Sequence, residues 1–491
     1  MRKILTLFFM FFVSVSINAQ KKIVIDTYDD WLNYTSSKDS IRYYKTFSLG
    51  GESDLIGNGA LLLDKNVPDS LFALRSNFAG SGEWVSKMID LPKYKRIDGV
   101  VLDLLAYGKK LDMREGWVKF KGNPLISGAN NALPLNKNNI TNQTIILTNP
   151  PGGLPQDQSI VKGSGKWEGK YILFFNHSPT DWPYDYYWSF AVSDSLSPLK
   201  KGINPFKLEL DNYPTVGPLD GQAPNDWMKA KNVYFAPDET NQSDGHMWVS
   251  NDLINWKDLG VIQGKEGTDP GMTFDGYRYH LFNEYEYGPM ISHCYYDPST
   301  NTAFDNSVVA DVGDHSGDPD VVFFNNQWHM FMDDGEHLHY SIAYGITEPD
   351  YFPKGWKVVP NIYGPYNPDN KEKYDDDNDE GNRFGTGDAD VIIEDNTLYM
   401  FTERPVMAAY KELTELLEFD NMNFSFCFKS FESDKQTLVS RTDWINASPL
   451  IKEYKFDEPL TGDYFQIYFK VSTENLKESP MLKSISVHFD D

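Results

Sequence analysis

The chain has 491 residues, more than one hydrophobic core usually organises, so two or three domains are expected. Its formal charge of −26 argues against nucleic acid as a partner, since phosphate binding needs a basic surface. The same charge disfavours heavily sulfated or uronate-rich polymers except at a local basic pocket, and it also serves solubility.

The N-terminus reads Met-Arg-Lys, runs apolar from Ile4 to Val15 and reaches Ser16-Ile-Asn-Ala-Gln20. That is the pattern of a cleaved signal peptide over residues 1–19, so the mature protein is expected to be periplasmic or secreted. The run is short for a membrane span and no other stretch is long enough, so no membrane span is expected. With only Cys294 and Cys427 present, no disulfide framework is expected; the two either pair or stay as buried free thiols.

Residues 20–111 carry short β-type runs, Glu83-Trp-Val-Ser-Lys-Met-Ile-Asp90 and Gly99-Val-Val-Leu-Asp-Leu-Leu105, and read as an N-terminal β-sandwich-like region. Residues 419–491 have the same texture, in Ser425-Phe-Cys-Phe-Lys, Tyr464-Phe-Gln-Ile-Tyr-Phe-Lys-Val and Leu482-Lys-Ser-Ile-Ser-Val-His-Phe. They read as a C-terminal β-sandwich-like region, forming one sandwich with the first or a second beside it. Helical periodicity is confined to Ala408–Glu418, where Leu413, Leu416 and Leu417 predict a helix.

Between the two ends, residues 112–418 repeat one pattern four times. Each copy is an Asp, a small or turn-forming residue, an apolar β-run, a turn and an aromatic strand. The copies start at Asp157, Asp269, Asp318 and Asp388. In the last three a second acid follows 15 residues later: Glu284, Asp333 and Glu403. A strand-rich unit that recurs with its leading acid predicts radial architecture. Roughly 300 residues at about 50–60 per four-stranded blade give five blades. The less regular second blade falls at Asp226-Trp-Met-Lys-Ala-Lys-Asn-Val-Tyr-Phe, and Ala191-Val-Ser-Asp and Trp248-Val-Ser-Asn fit outer strands with Ser-Asx turns. The fold expected is all-β: a five-bladed β-propeller flanked by β-sandwich segments.

These repeats, with Trp117 and Asn123-Pro-Leu-Ile ahead of them and the Asp269-Pro and Asp318-Pro starts, resemble the five-bladed propeller glycosidases, most of all glycoside hydrolase family 43. The resemblance covers about 300 residues. It implies a glycoside hydrolase acting on poly- or oligosaccharides, with Asp157 as general base, Asp269 as the residue that tunes and orients the acid, and Asp318 at the acid's position. The family has Glu there, so another donor is open: His315, or more weakly Glu284 or Glu403. An exo-acting, inverting enzyme is the expectation that follows.

Chemistry supports this independently. Glycoside cleavage needs a proton donor and a carboxylate base or nucleophile, and acids gathered round an axis push one another's pKa apart. An acid–base separation of roughly 6.5–9.5 Å leaves room for water and implies inversion. Strand-start Asp residues also cap turns, so the four copies are not all catalytic, and Asp388 reads as structural or substrate-supporting. His177 and Trp182, in the aromatic loop that begins at Asn176, suit a sugar pocket wall and equally a rigid surface loop.

Two other readings stay open. A propeller polysaccharide lyase would rely on His315, His329, His337 or Tyr277; a non-catalytic sugar-binding propeller would explain the missing Glu at 318. No Cys/His cluster suggests zinc and no phosphate loop is present. No metal ligand is assigned and no cofactor is required. The acidic run Asp375–Gly381 alternates as calcium loops do but lacks the EF-hand Gly and Glu, so a solvated loop is its default and calcium the ion it invites.

Overall fold

The computed structural model describes residues 22–35, 41–43, 61–63, 78–93, 95–123, 125–130, 145–149, 156–177, 187–208, 228–230, 233–237, 245–253, 255–275, 278–285, 290–311, 317–334, 341–364, 387–402 and 406–490. The signal-peptide segment and the acidic run at 375–381 lie outside them. Among the described residues strands dominate, and the α-helix Tyr28–Tyr34 is capped by Thr27, whose hydroxyl accepts from the Asp30 N–H.

Among the described residues, five four-stranded antiparallel sheets follow one another in sequence order. Sheet one is Gln156–Lys162, Tyr171–His177, Tyr187–Ser193 and Lys207–Leu208; sheet two is Met228–Ala230, Val233–Pro237, His246–Ser250 and Lys257–Val261. Sheet three is Thr268–Phe274, Tyr279–Tyr285, Met290–Asp297 and Thr302–Asp311; sheet four is Asp320–Phe324, Gln327–Asp334, Ser341–Thr347 and Lys357–Tyr363. Sheet five joins Asp390–Glu394, Thr397–Thr402 and Met407–Glu412 to an outer strand from far upstream, Trp117–Lys119. The first strands of successive sheets touch in turn, and that of sheet five returns to touch that of sheet one. Each repeat read in the sequence supplies the first two strands of a sheet. Ala191-Val-Ser and Trp248-Val-Ser are third strands rather than outer ones. Their Ser193 and Ser250 hydroxyls accept turn N–H groups, from Ser195 and from the buried Leu253, while the buried Leu196 N–H donates to the Glu394 carboxylate at 2.9 Å.

The ring is closed by hydrogen bonds at the sheet seams. The Asp320 carboxylate accepts the Val391 N–H at 2.9 Å, joining sheet four to five. The Asp390 carboxylate accepts the Ile160 N–H at 2.8 Å and the Ser159 hydroxyl, joining five to one. Sheet one meets two where the Tyr234 hydroxyl accepts the Ser164 N–H at 2.8 Å.

The helix expected over 408–418 is a strand followed by a short 3-10 turn, Thr414–Leu417. Ala408 and Ala409 pair with Phe401 and Met400 on one side, and Ala409 pairs with Lys119 on the other. The Asn123 side chain both donates to the Ala408 carbonyl and accepts its N–H. Filling both edges of this strand with partners from either end of the ring outweighs the weak helical preference of its residues. Leu413 and Leu416 still bury, from the turn.

The two chain ends meet. Ser479–Asp490 pairs along Arg96–Tyr107 in one six-stranded sheet, and Tyr464–Thr473 pairs with Ser81–Val85 in another. The two sheets share one core, with Phe465 against Phe489 and Phe426 against Tyr454, and that core continues into sheets four and five through Phe324, Phe331 and Val391. Asn325 fixes the junction, its carboxamide oxygen accepting the Gly108 N–H at 2.7 Å. Trp84 anchors the core: it is 1% exposed, stacks on Phe469 at 5.3 Å, meets the edge of Trp31 and donates its indole N–H to Thr35. Trp84→Ala is expected to destabilise by about 3–5 kcal/mol, read from the urea unfolding midpoint, because the cavity cannot collapse between paired sheets. Cys294 and Cys427 are both buried free thiols, so they do not pair.

Candidate active site

The leading acids of three repeats share an unusual backbone. Asp269, Asp318 and Asp388 have φ of 45°, 47° and 48°, the left-handed region that Asp tolerates better than most residues. Such strain persists where surrounding structure holds it, often at functional sites. Asp269 sits in a register break between Thr268 and Gly271, where its strand bulges against Tyr279–Tyr285. The backbone of Asp157 lies in the matching break, between Gln156 and Ser159.

Within sheet three, Thr268 lies opposite Glu284, which brings Asp269 and Glu284 together. Burial pushes the Glu284 carboxyl up to about 8, helped by the charge of Asp269 and a hydrogen bond between the two side chains. Glu284 is thus the member of the pair that keeps its proton near neutral pH. It borders the next sheet: a β-carbon placed on Gly317 would stand 3.1 Å from the Glu284 Oε2, so glycine there leaves the carboxyl room.

Asp318 follows directly. Its carboxylate lies with those of Asp333 and Asp388, one oxygen of each within 4.8 Å of the others. Asp333 is the last residue but one of the strand Gln327–Asp334; its N–H donates to the Gly317 carbonyl at 3.0 Å and its carboxylate accepts the Asp388 N–H at 2.8 Å. Gln158 of sheet one donates its amide to the Asp388 carbonyl. Sheets one, four and five are therefore tied together at these acids, and Glu284 of sheet three adjoins them. Among the described residues these three aspartates could hold a metal ion, since hard oxygens suit calcium. They equally offer acceptors to sugar hydroxyls.

The structure thus brings together Asp269 with Glu284, and Asp318 with Asp388. Asp157 and His177 are placed by backbone alone, in strands Gln156–Lys162 and Tyr171–His177, and their side chains lie outside the description. Trp182, His315 and Glu403 lie outside the described residues, as do His337 and Tyr277. His329 is fully buried, bonded to the Tyr344 hydroxyl at 2.7 Å and to the Phe324 carbonyl, and burial pushes it down to about 3. It is a core histidine and cannot reach a uronate as a lyase base would.

Asp333 is the site member that sequence reasoning passed over, although its 15-residue spacing from Asp318 marked it. Asp388, read as structural or substrate-supporting, and Asp318, read at the acid's position, stand together with Asp333 in one cluster.

No protein-family model matches the chain, and no curated protein matches it either. Among solved structures it is similar to a thermostable family-43 glycoside hydrolase, at 13% identity and a TM-score of 0.35, over 61% of this chain and 97% of that one. It is also similar to an exo-β-1,3-galactanase of Phanerochaete chrysosporium crystallised with galactose, at 8% identity and a TM-score of 0.37, over 68% and 96% of the two chains. A third is the catalytic domain of a GH62 α-L-arabinofuranosidase of Coprinopsis cinerea, at 10% identity and a TM-score of 0.39, over 62% and 98%.

Proposed function

We propose that this chain is an exported glycoside hydrolase that removes a terminal sugar from poly- or oligosaccharides with inversion, on a five-bladed propeller spanning residues 112–418 and flanked by sandwich regions at 20–111 and 419–491. The observation that carries the reading is the Asp269–Glu284 pair, whose Glu284 holds a proton at neutral pH beside the Asp318, Asp333 and Asp388 carboxylates. Glu284 is the general acid, giving its proton to the leaving glycosidic oxygen. Asp269 keeps that proton on Glu284 until the bond breaks.

Asp157 is the base. It opens the first strand of sheet one in the same kind of bulge that presents Asp269, so acid and base come from different sheets of the ring. That division suits a water between base and sugar, and hence inversion. Acids gathered where first strands meet suit the entry of a chain end, which favours exo action. The hard oxygens of Asp318, Asp333 and Asp388 bind sugar hydroxyls in this scheme, and the chemistry requires no cofactor.

The test is release of reducing sugar from a panel of plant and algal oligosaccharides by the wild type, Glu284→Gln and Asp157→Asn. Hydrolysis with wild type alone, giving a product of inverted anomeric configuration, is the expected result. An unsaturated product absorbing in the ultraviolet would make the protein a lyase. Glycan binding without release by the wild type would make it a binding protein.

A further inference from the structure

A recess lies on the sheet built from Met422–Phe431, Tyr464–Thr473 and Ser81–Val85, and none of the clustered acids lines it. It has a volume of about 600 Å³ and is lined by Glu83, Asn423, Ser425, Lys470 and Ser472 among others. Alternation along these strands puts Phe426, Phe465, Phe469 and Trp84 in the core and leaves Lys429, Tyr464, Tyr468 and Lys470 on the open face.

This face is basic in a chain whose formal charge is −26. Three of its lysines stand over aromatic rings: Lys429 over Tyr468 at 4.1 Å, Lys435 over Tyr464 at 4.3 Å and Lys470 over Trp444 at 4.5 Å. Arg441 pairs with Lys429 across the sheet. Two acids share the face: Glu83, 3.4 Å from Lys470 with both side chains at least half exposed, and the exposed Asp90, opposite Tyr464. The rings hold the ammonium groups in fixed positions, so less side-chain freedom is lost on binding an anion. Lys429 and Lys470 stand four residues apart along paired strands, since Gln466 faces Lys429 and Ser425 faces Lys470. That is about 13 Å along the face, a spacing for successive charges on an extended chain rather than for one small anion.

We propose that this face binds an extended uronate-bearing polysaccharide, its carboxylates meeting Lys429, Lys470 and Arg441. Charge complementarity selects an anionic strand, and Trp444, 43% exposed, offers it a ring edge. The predominance of ammonium over guanidinium selects carboxylate over sulfate ester: ammonium is the compact, strongly hydrated cation and matches the strongly hydrated anion, whereas guanidinium is weakly hydrated. The site is separate from the proposed active site and goes beyond that assignment, because it places a polymer-anchoring surface on the terminal regions.

The experiment is calorimetric titration of the full chain with polygalacturonate, with neutral arabinan and with a sulfated galactan, at low and high salt. Polygalacturonate is expected to bind best and to weaken with salt. Lys429→Gln with Lys470→Gln is expected to raise its Kd about tenfold or more, with the melting temperature unchanged. Arg441→Gln, exposed at the sheet edge, provides a second variant should the double one fold poorly, with a smaller rise in Kd expected. No binding of polygalacturonate, equal binding of arabinan, or binding unchanged in these variants would overturn the proposal; preference for the sulfated galactan would overturn its carboxylate assignment. Binding is read without hydrolysis, so an inactive wild type would leave this test intact. If the wild type cleaves a small aryl glycoside, the double variant should do so at the same rate.

Discussion

Sugar release is expected to fall as pH rises through about 8, where Glu284 loses its proton. Three causes hold that proton, burial first, then the negative charge of Asp269 and the hydrogen bond between the two. Asp269→Asn removes the charge and gives Glu284 an amide that can donate to its ionised form. Both changes favour ionisation, so the alkaline limb should move to lower pH while burial keeps it above that of a free glutamate. Glu284→Gln should cost about 10²–10⁴-fold in kcat/KM, the range for losing a positioned general acid. Stability should move the other way. A carboxyl whose folded pKa is raised contributes stability that is fully present below its unfolded value of 4.5 and lost as pH rises through about 8. Glu284→Gln should therefore melt close to wild type below pH 4.5 and progressively above it as pH rises towards 8 and beyond, a stability gain set against lost activity. An alkaline limb that stays put in Asp269→Asn would remove the pair from the mechanism.

The second large effect is expected at the seam between sheets five and one. Asp390 is buried, and its carboxylate accepts the Ile160 N–H and the Ser159 hydroxyl. Asp390→Ala leaves those donors buried without their acceptor, at a cost of about 2–4 kcal/mol. Asp390→Asn keeps an oxygen acceptor and discards the charge. Burial pushes Asp390 up to about 7 against the opposing pull of these hydrogen bonds. Its contribution is therefore fully present below 3.8 and lost as pH rises through about 7, so the Asn variant should match or exceed wild type at pH 8. Urea unfolding midpoints of the two variants at pH 5 and 8 measure this. An Ala variant as stable as wild type would mean that the seam is held elsewhere.

The two effects differ in how far the amino-acid order foretold them. The Asp269–Glu284 pair was legible as a 15-residue spacing because it is a hairpin property: adjacent strands with a short turn bring the two acids opposite with no help from the rest of the fold. The role of Asp390 was not. Asp318-Pro-Asp320 and Asp388-Ala-Asp390 look like two equivalent acids on one strand face, yet the left-handed turn at the first separates their tasks. Asp318 and Asp388 join the acid cluster, while Asp320 and Asp390 reach across to the next sheet.

Strand content, the repeating hairpins and the near absence of helix came from local pattern: alternating apolar and aromatic runs, turn residues and the recurring Asp act within about 15 residues. Three things came from partners far along the chain. The strand Met407–Glu412 was drawn out of its helical preference by Trp117–Lys119, nearly the whole ring away in sequence. Ser81–Val85 found its partner in Tyr464–Thr473, and the basic face of that sheet was assembled from lysines that are unremarkable one at a time. The Asp318, Asp333 and Asp388 cluster joins two sheets at their seam. A residue's own propensities are written into its neighbourhood, whereas a pairing between distant segments depends on the closure of the whole ring, and closure is a property of the folded chain.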